Sequence, residues 1–283
     1  MGWRLSDAVE EFLSVAGEFL RAERARNTIA LTVTEALRRD PSLYSSPLFG
    51  WYPGAVESGV EELSGAFMQT PPFPAFLTAM TEPVAAALAA ELAATRPDLP
   101  GVNAEDDAAW AFAGVWRERT GREAEVKRRS RLFRLGELSW PSPRPDGAAR
   151  LATAADRDLL LTWMEAFDGD VGERTAQDHS RAIDSRIGYG GFTIWEVGGV
   201  PVSMAGVTRA ADGMIRIGPV YTPPEQRGRG YGGAATSVVS QAALDAGIAD
   251  VLLYTDLANP TSNALYRRLG YRPVEDRILL AFG

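Results

Sequence analysis

The sequence has 283 residues, 46% of them apolar, which is enough to fill the cores of two domains, and it contains no cysteine. The missing thiols exclude disulfides, thiolate metal sites and a covalent cysteine intermediate, and fit a reducing compartment. A formal net charge of −8 argues against a sequence-independent nucleic-acid binder, because phosphate contacts dominate that affinity and need a basic face.

At the start of the chain, Met1 to Leu13 carries Asp7, Glu10 and Glu11 where a signal peptide would be apolar. Met1-Gly2-Trp3-Arg4-Leu5-Ser6 fits the loose myristoylation pattern, but nothing polybasic follows, and the match reads as chance. No apolar run approaches the roughly 18–20 residues a membrane helix needs, so the expectation is a cytoplasmic protein without a membrane partner. Helical spacing is expected over about Leu5–Glu23, Thr81–Thr95 and Asp106–Arg119, and strands near Leu48–Tyr52, Ala66–Gln69, Phe73–Leu77 and Val126–Leu135. The last of these holds the one basic run, Lys127-Arg128-Arg129-Ser130-Arg131, which reads as the solvated face of a strand.

Trp140-Pro141-Ser142-Pro143-Arg144-Pro145-Asp146-Gly147 places three prolines in five residues, which neither a helix nor a central strand sustains. It is read as a linker, 140–147, between an N-terminal α/β domain, 1–139, and a C-terminal domain, 148–283. Beyond it, Asp156 to Phe167 repeats apolar residues at helical spacing. The only histidine, His179, excludes a zinc site of several imidazoles and reads as a surface residue in the run Gln177-Asp178-His179-Ser180-Arg181. Phe192–Val197, the turn Gly198-Gly199, Val200–Val207, the turn Asp212-Gly213 and Met214–Tyr221 spell a three-stranded meander. A helix with Ala235, Val238, Val239, Ala242 and Ala246 on one face stops at Gly247. The short apolar strand Val251–Thr255, a helix opened by Asn259-Pro260 and closed by Gly270, and a last strand, Asp276–Phe282, complete the C-terminal domain. The fold class is therefore α/β (α+β), with a mixed, mostly antiparallel sheet flanked by helices. The N-terminal order of elements echoes the C-terminal one and admits a degenerate duplication whose first copy has lost its glycine loop.

Glu225-Gln226-Arg227-Gly228-Arg229-Gly230-Tyr231-Gly232-Gly233 is a candidate phosphate cradle. Gly228, Gly230 and Gly233 spell the dinucleotide fingerprint, and Asp256 lies where an acidic ribose ligand would be. Against a dinucleotide domain stand Pro223-Pro224 between strand and glycines, the meander before them, and only 50 residues after Gly233.

The same stretch, Arg227-Gly228-Arg229-Gly230-Tyr231-Gly232, resembles the acyl-CoA signature of the GNAT acetyltransferase superfamily. The preceding strand Ile217–Thr222 and the later Asn259, Tyr266 and Gly270-Tyr271 occupy the places that family expects, over roughly residues 148–283. The resemblance implies a GNAT fold, with tandem copies if the duplication holds. It implies direct transfer of an acetyl group from acetyl-CoA to a primary amine of a small molecule or peptide, with no metal. Arg227, Gly228, Arg229, Gly230, Tyr231, Gly232 and Gly233 would hold the pyrophosphate, the amides from Arg227 to Gly232 pointing at it from a helix N-terminus. Val220, Tyr221 and Thr222 would pair with the pantetheine arm at a bulge forced by Pro219, and Asn259 is either a coenzyme contact or a helix cap. Tyr266 would be the general acid for the leaving thiolate. The general base stays open among Glu165, Asp168, Asp170 and Glu173, and the aromatics Trp163, Phe167, Tyr189, Trp51 and Phe73 are either core or acceptor contacts. A non-catalytic acyl-CoA-binding protein and an NAD-binding oxidoreductase are the alternatives. A homodimer is left open.

Overall fold

The computed structural model describes residues 2–57, 60–172 and 179–283, and the chain in it forms two compact units, Met1–Leu132 with Val274–Gly283, and Phe133–Pro273. Mixed α/β architecture, with a mostly antiparallel sheet flanked by helices, is the expected fold class.

The first series of elements runs β1 (Arg4–Ser6), α1 (Val9–Ala22), α2 (Thr28–Arg39), β2 (Leu48–Glu57), β3 (Val60–Gln69), β4 (Ala75–Leu77), α3 (Glu82–Thr95), β5 (Gly101–Ala104), α4 (Asp106–Thr120) and β6 (Ala124–Leu135). The second runs β7 (Ala148–Leu151), α5 (Arg157–Asp170), α6 (Ser180–Gly188), β8 (Phe192–Val197), β9 (Val200–Val207), β10 (Met214–Tyr221), α7 (Tyr231–Asp245), β11 (Asp250–Asp256), α8 (Pro260–Arg268) and β12 (Tyr271–Phe282). Short 3-10 turns apart, the two orders are the same, strand, two helices, three strands, then helix and strand twice.

In the first unit the strands lie in the order β1-β2-β3-β4-β5-β12. Successive strand residues face opposite ways. Phe67 of β3 accordingly joins the core under α3 and α4, with Leu88, Leu92, Phe112, Trp116, Ile278 and Phe282. Its neighbour Met68 lies opposite Phe49, which stacks on Phe12 of α1 at 5.0 Å on the other face. The last strand was expected to complete the C-terminal domain. Its residues from Val274 on belong instead to the first unit, with Ile278 opposite Ala104 and Leu280 opposite Val102 on β5. The physical reason is burial: Ile278, Leu280 and Phe282 fill the core between β5 and α4, where Phe282 stacks on Trp116 at 4.9 Å.

β12 also carries Arg277, 3% exposed. One guanidinium nitrogen donates to the carbonyls of Leu77 at 2.6 Å and Asn103 at 2.8 Å, and Nε donates to Asn103 Oδ1 at 2.9 Å. The ends of β4 and β5 are thereby tied together, with Glu275 as the buried counter-charge. Three arginines of β6, two of them in the basic run, are engaged as well. Arg129 pairs with Asp106, Arg131 with Asp276 at 2.6 Å, and Arg134 with Asp250 at 3.5 Å.

In the second unit the order is β7-β8-β9-β10-β11 followed by the end of β6, whose Phe133 and Leu135 enter that core. The proline-rich segment is not a spacer between the units, because it lies within Phe133–Pro273. Trp195 Nε1 donates to the Asp146 carbonyl at 2.9 Å, which holds the segment against β8. α7 and α8 cover one sheet face with Tyr231, Ala235, Val239, Tyr266 and Leu269, and α5 and α6 cover the other with Leu160, Trp163 and Ile183. Among the described residues, no helix is long and apolar enough to cross a membrane.

Two tests follow from these buried ion pairs. Arg277→Met leaves Glu275 buried without its counter-charge and should lower stability by about 3–5 kcal/mol, read from the denaturant midpoint. At the start of α5, Asp156 is 8% exposed and accepts from Arg150 of β7 at 2.7 and 2.8 Å and from the Thr153 amide at 2.8 Å. The Arg150 guanidinium is the main cause that lowers its carboxyl pKa from 3.8 to about 2. The folded value lies below the unfolded one, so the stabilisation of about 2 kcal/mol is complete above pH 4 and is lost as pH falls through about 2. Asp156→Asn should therefore cost stability at pH 7 and almost none near pH 2, by thermal unfolding at both pH values.

Candidate active site

β10 leads into the site. It pairs antiparallel with β9 and parallel with β11, and the ladder with β11 runs from Met214 opposite Asp250 to Ile217 opposite Leu253 and ends there. Next come Gly218, with φ of 152°, and Pro219, which has no N–H to donate; the register with β9 shifts between Ile217 and Val220. This is the expected bulge. Arg186 of α6 reaches it, donating from Nη1 to the Gly218 carbonyl at 3.0 Å.

At the end of β10, buried Ser203 of β9 donates its hydroxyl to the Tyr221 carbonyl at 2.9 Å. A strand residue points its N–H and C=O the same way. The peptide groups of Tyr221 are therefore turned towards β9, and those of Val220 towards the side where the β11 ladder has ended.

The glycine loop spans Thr222 to Gly230 and opens with a 3-10 turn at Pro224–Gln226. Within it the Gln226 amide donates to Pro223 at 2.9 Å and the Arg227 amide to Pro224 at 3.2 Å. The amide set expected from Arg227 to Gly232 accordingly shifts one residue along, since the Arg227 N–H is spent in the turn. The first α7 bond is from Ala234 to Gly230 at 3.0 Å, so among the described residues the amides from Gly228 to Gly233 meet no backbone acceptor. Gly228 and Gly230 have φ of 77° and 83°, where a side chain is strained. These six N–H groups lie at the positive end of a 15-residue helix, a place that favours an anion.

The other expected loop residues divide by environment. Arg229 is exposed, whereas Tyr231 lies 7% exposed in the core under α7. The Arg227 guanidinium pairs with Asp170 and donates from Nε to the Thr222 carbonyl at 2.9 Å. A Cβ on Gly232 would lie 3.3 Å from Thr222 Oγ1, and one on Gly233 3.0 Å from Leu265 Cδ1 of α8. Pro141 and Pro145, which sequence reasoning assigned to a linker, pack beside Gly233 and Gly230. Only their proline content drew attention to them.

Asn259 caps α8, accepting from the Ser262 amide at 3.0 Å. Its neighbour Asn263, which the sequence reading missed, is buried. It donates to the Asp256 and Asn259 carbonyls, each at 2.7 Å, and accepts from Thr255 Oγ1 at 2.8 Å. That tie fixes α8 to the end of β11 and so fixes Tyr266. Tyr266 is 7% exposed, with its ring 6.0 Å from Tyr271. Burial pushes its hydroxyl up to about 12, opposed by a hydrogen bond with Thr236.

Of the four acidic candidates, Glu165 is exposed, Asp170 pairs with Arg227, and Glu173 lies outside the described residues. Asp168 Oδ2 is 2.6 Å from His179 Nε2, and both side chains are largely buried. The solvated reading of His179 is thus corrected, because the imidazole is enclosed by its contact with α5. Trp163 and Phe167 pack with Tyr221 under α5. Tyr189 donates to the Val207 carbonyl at 2.8 Å beneath the Arg209 guanidinium, 4.0 Å from its ring. In the first unit, Trp51 is buried and Phe73 lies edge-on to Tyr44. Asp256, the candidate ribose ligand, accepts from the Ala258 amide at 2.8 Å in its own turn.

A bulged strand whose ladder with its parallel partner ends early, followed by amides without backbone acceptors at a helix N-terminus, frames the site. Residues 157–271 match the model of the acetyltransferase (GNAT) family, and this part of the chain is a GNAT acetyltransferase domain. No curated protein sequence matches. Among solved structures, a GNAT-family acetyltransferase from Colwellia psychrerythraea aligns over 100% of this chain and 99% of its own, at 10% identity and a TM-score of 0.59. A GCN5-related N-acetyltransferase from Sphaerobacter thermophilus aligns over 99% and 95%, at 15% identity and a TM-score of 0.63. One from Kribbella flavida covers 77% and 86%, at 21% identity and a TM-score of 0.52. At these identities the likeness is one of fold.

Gly230→Ala places a side chain at φ of 83°, which should cost about 1–2 kcal/mol, read as a lower melting temperature. Gly121→Ala, at φ of 75° with nothing within 4 Å of its Cβ, is the matched control for backbone strain remote from the loop.

Proposed function

We propose that the second unit transfers an acetyl group from acetyl-CoA directly to a primary amine of a small molecule or peptide. The observation that carries this reading is the run of six amides from Gly228 to Gly233 without backbone acceptors at the N-terminus of α7. The residues present fit the coenzyme: an anion cradle for the pyrophosphate, and the peptide groups of Val220, past the end of the β11 ladder, for the pantetheine arm. Acetyl-CoA would supply the activated acyl carbon and a thiolate leaving group.

The chain's own part is to bind, orient and donate a proton. An amide in the bulged segment polarises the thioester carbonyl as charge develops on its oxygen. The amine attacks the acyl carbon, the C–S bond breaks, and the amine sheds its extra proton. With no cysteine to carry the acyl group, one-step transfer is favoured. Tyr266 is protonated at neutral pH and serves as donor to the departing sulfur. A hydroxyl at about 12 is a weaker acid than a thiol near 8.5, so complete transfer from the resting geometry is uphill by about 5 kcal/mol. Tyr266 therefore stabilises the thiolate first by hydrogen bonding, and the developing negative charge favours that bond. Asn259 acts here as the cap that starts α8.

Among its described residues, the first unit offers no equivalent cradle. Only Thr78-Ala79-Met80-Thr81 separates β4 from α3, without a glycine, and Arg277 bridges the strand ends that would have to part. Titration calorimetry should accordingly give one acetyl-CoA per chain. Tyr266→Phe should keep coenzyme affinity and lose most of the turnover in a thiol-release screen of amino acids, polyamines, aminoglycosides and peptide N-termini. Coenzyme binding with no thiol released by any amine would leave the non-catalytic acyl-CoA binder instead, and binding of NAD in place of acetyl-CoA the oxidoreductase.

A further inference from the structure

Buried Ser203 and half-buried Thr222 form a hydroxyl pair beside the start of α7. Tyr221 lies opposite Met204 and Val220 opposite Ala205, so one step further along the antiparallel ladder Thr222 faces Ser203 on the α7 side of the sheet. Their oxygens are 2.9 Å apart. Ser203 is 0% exposed, and its oxygen also lies 2.9 Å from the Tyr221 carbonyl. A carbonyl oxygen can only accept, and a serine hydroxyl has one proton. Ser203 therefore spends its proton on Tyr221, and the second contact forms with Thr222 as donor. Thr222 Oγ1 is left without a proton to give and with acceptor capacity to spare, at the point where Gly232 enters α7. Such an oxygen repels the oxygens of a phosphate and attracts an N–H.

We propose that Thr222 Oγ1 is a hydrogen-bond acceptor for an amide N–H of the pantetheine arm, and that Ser203 is the positioning residue that orients it. The inference rests on the acetyl-CoA reading above. It divides the cradle chemically: donors from Gly228 to Gly233 for the pyrophosphate, then an acceptor at Thr222 where the neutral arm begins. A threonine below a helix N-terminus would otherwise be assigned to phosphate as a donor, and the two assignments predict different behaviour.

The test measures dissociation constants of the full chain for two probes by calorimetry, acetyl-CoA and 3′-phosphoadenosine 5′-diphosphate, which has the phosphates but no pantetheine. Thr222→Val keeps the shape and removes the hydroxyl; it should weaken acetyl-CoA about 5-fold, the loss of one hydrogen bond, and leave the phosphate probe unchanged. Thr222→Ser should retain wild-type affinity for both. Ser203→Ala should weaken acetyl-CoA to a similar degree and add nothing further on top of Thr222→Val, because it acts only through Thr222. Equal weakening of both probes by Thr222→Val would assign Thr222 to phosphate and overturn the proposal, as would unchanged affinity for acetyl-CoA. Should Ser203→Ala fail to fold, the Thr222 pair decides alone. Failure of the wild-type chain to bind acetyl-CoA would refute the acetyltransferase reading itself, a different result from binding that is insensitive to Thr222.

Discussion

The second unit depends on a parallel strand pair that stops pairing partway. β10 and β11 are bonded only as far as Ile217 and Leu253. The reason is local and covalent, because Pro219 cannot donate and Gly218 holds a backbone conformation that side chains avoid. Everything that makes the site follows from that interruption. The backbone of Val220 runs on past the point where the β11 ladder ends. The chain then needs a loop to reach the start of α7, and that loop exposes its amides because its glycines take left-handed turns. Hydroxyls and side-chain amides hold the strand ends at fixed positions: Ser203 on one side, Asn263 at the end of β11 on the other.

The first unit shows the same plan with the strand ends held together. Its β4 and β5 are also a parallel pair, but a guanidinium from β12 joins their ends. A buried arginine bonded to two main-chain carbonyls over-determines the spacing between strands, and the four-residue link into α3 leaves no spare backbone to wrap an anion. The same order of elements thus gives two physical outcomes, decided by whether the strand ends are spread by a proline bulge or held by a charge.

Much of this was legible from residue spacing. The meander, the glycine loop, the cap at Asn259 and the position of Tyr266 all rest on local rules of turn chemistry and periodicity, and those rules hold where neighbours in sequence decide the structure. Legibility failed where distant residues decide it. α2, from Thr28 to Arg39, was missed because Thr28, Ile29, Thr32, Val33 and Thr34 favour strands. Thr32 and Thr34 are accommodated by returning their hydroxyls to the carbonyls of Thr28 and Ala30, at 2.6 and 2.7 Å. β5 has four residues and no periodicity of its own. The prolines of 140–147 correctly signalled irregular backbone, but composition carries no information on what such backbone packs against. The burial of Tyr266 and the contact of His179 with Asp168 likewise depend on which helix faces which, a property of packing and not of spacing.

The placement of β12 bears on the order of events as the chain leaves the ribosome. Strand pairing between Gly101–Ala104 and Ile278–Ala281 spans about 175 residues of sequence, the kind of long-range contact that slows folding. The core that Phe112 and Trp116 begin early in synthesis stays without Ile278, Leu280 and Phe282 until those residues, more than 150 positions later, have emerged. During that interval the α3 and α4 faces, rich in alanine, leucine and aromatic side chains, lack their covering strand. Phe133–Pro273, whose core draws on no residue after Pro273, can assemble first, and the early part of the chain matures last.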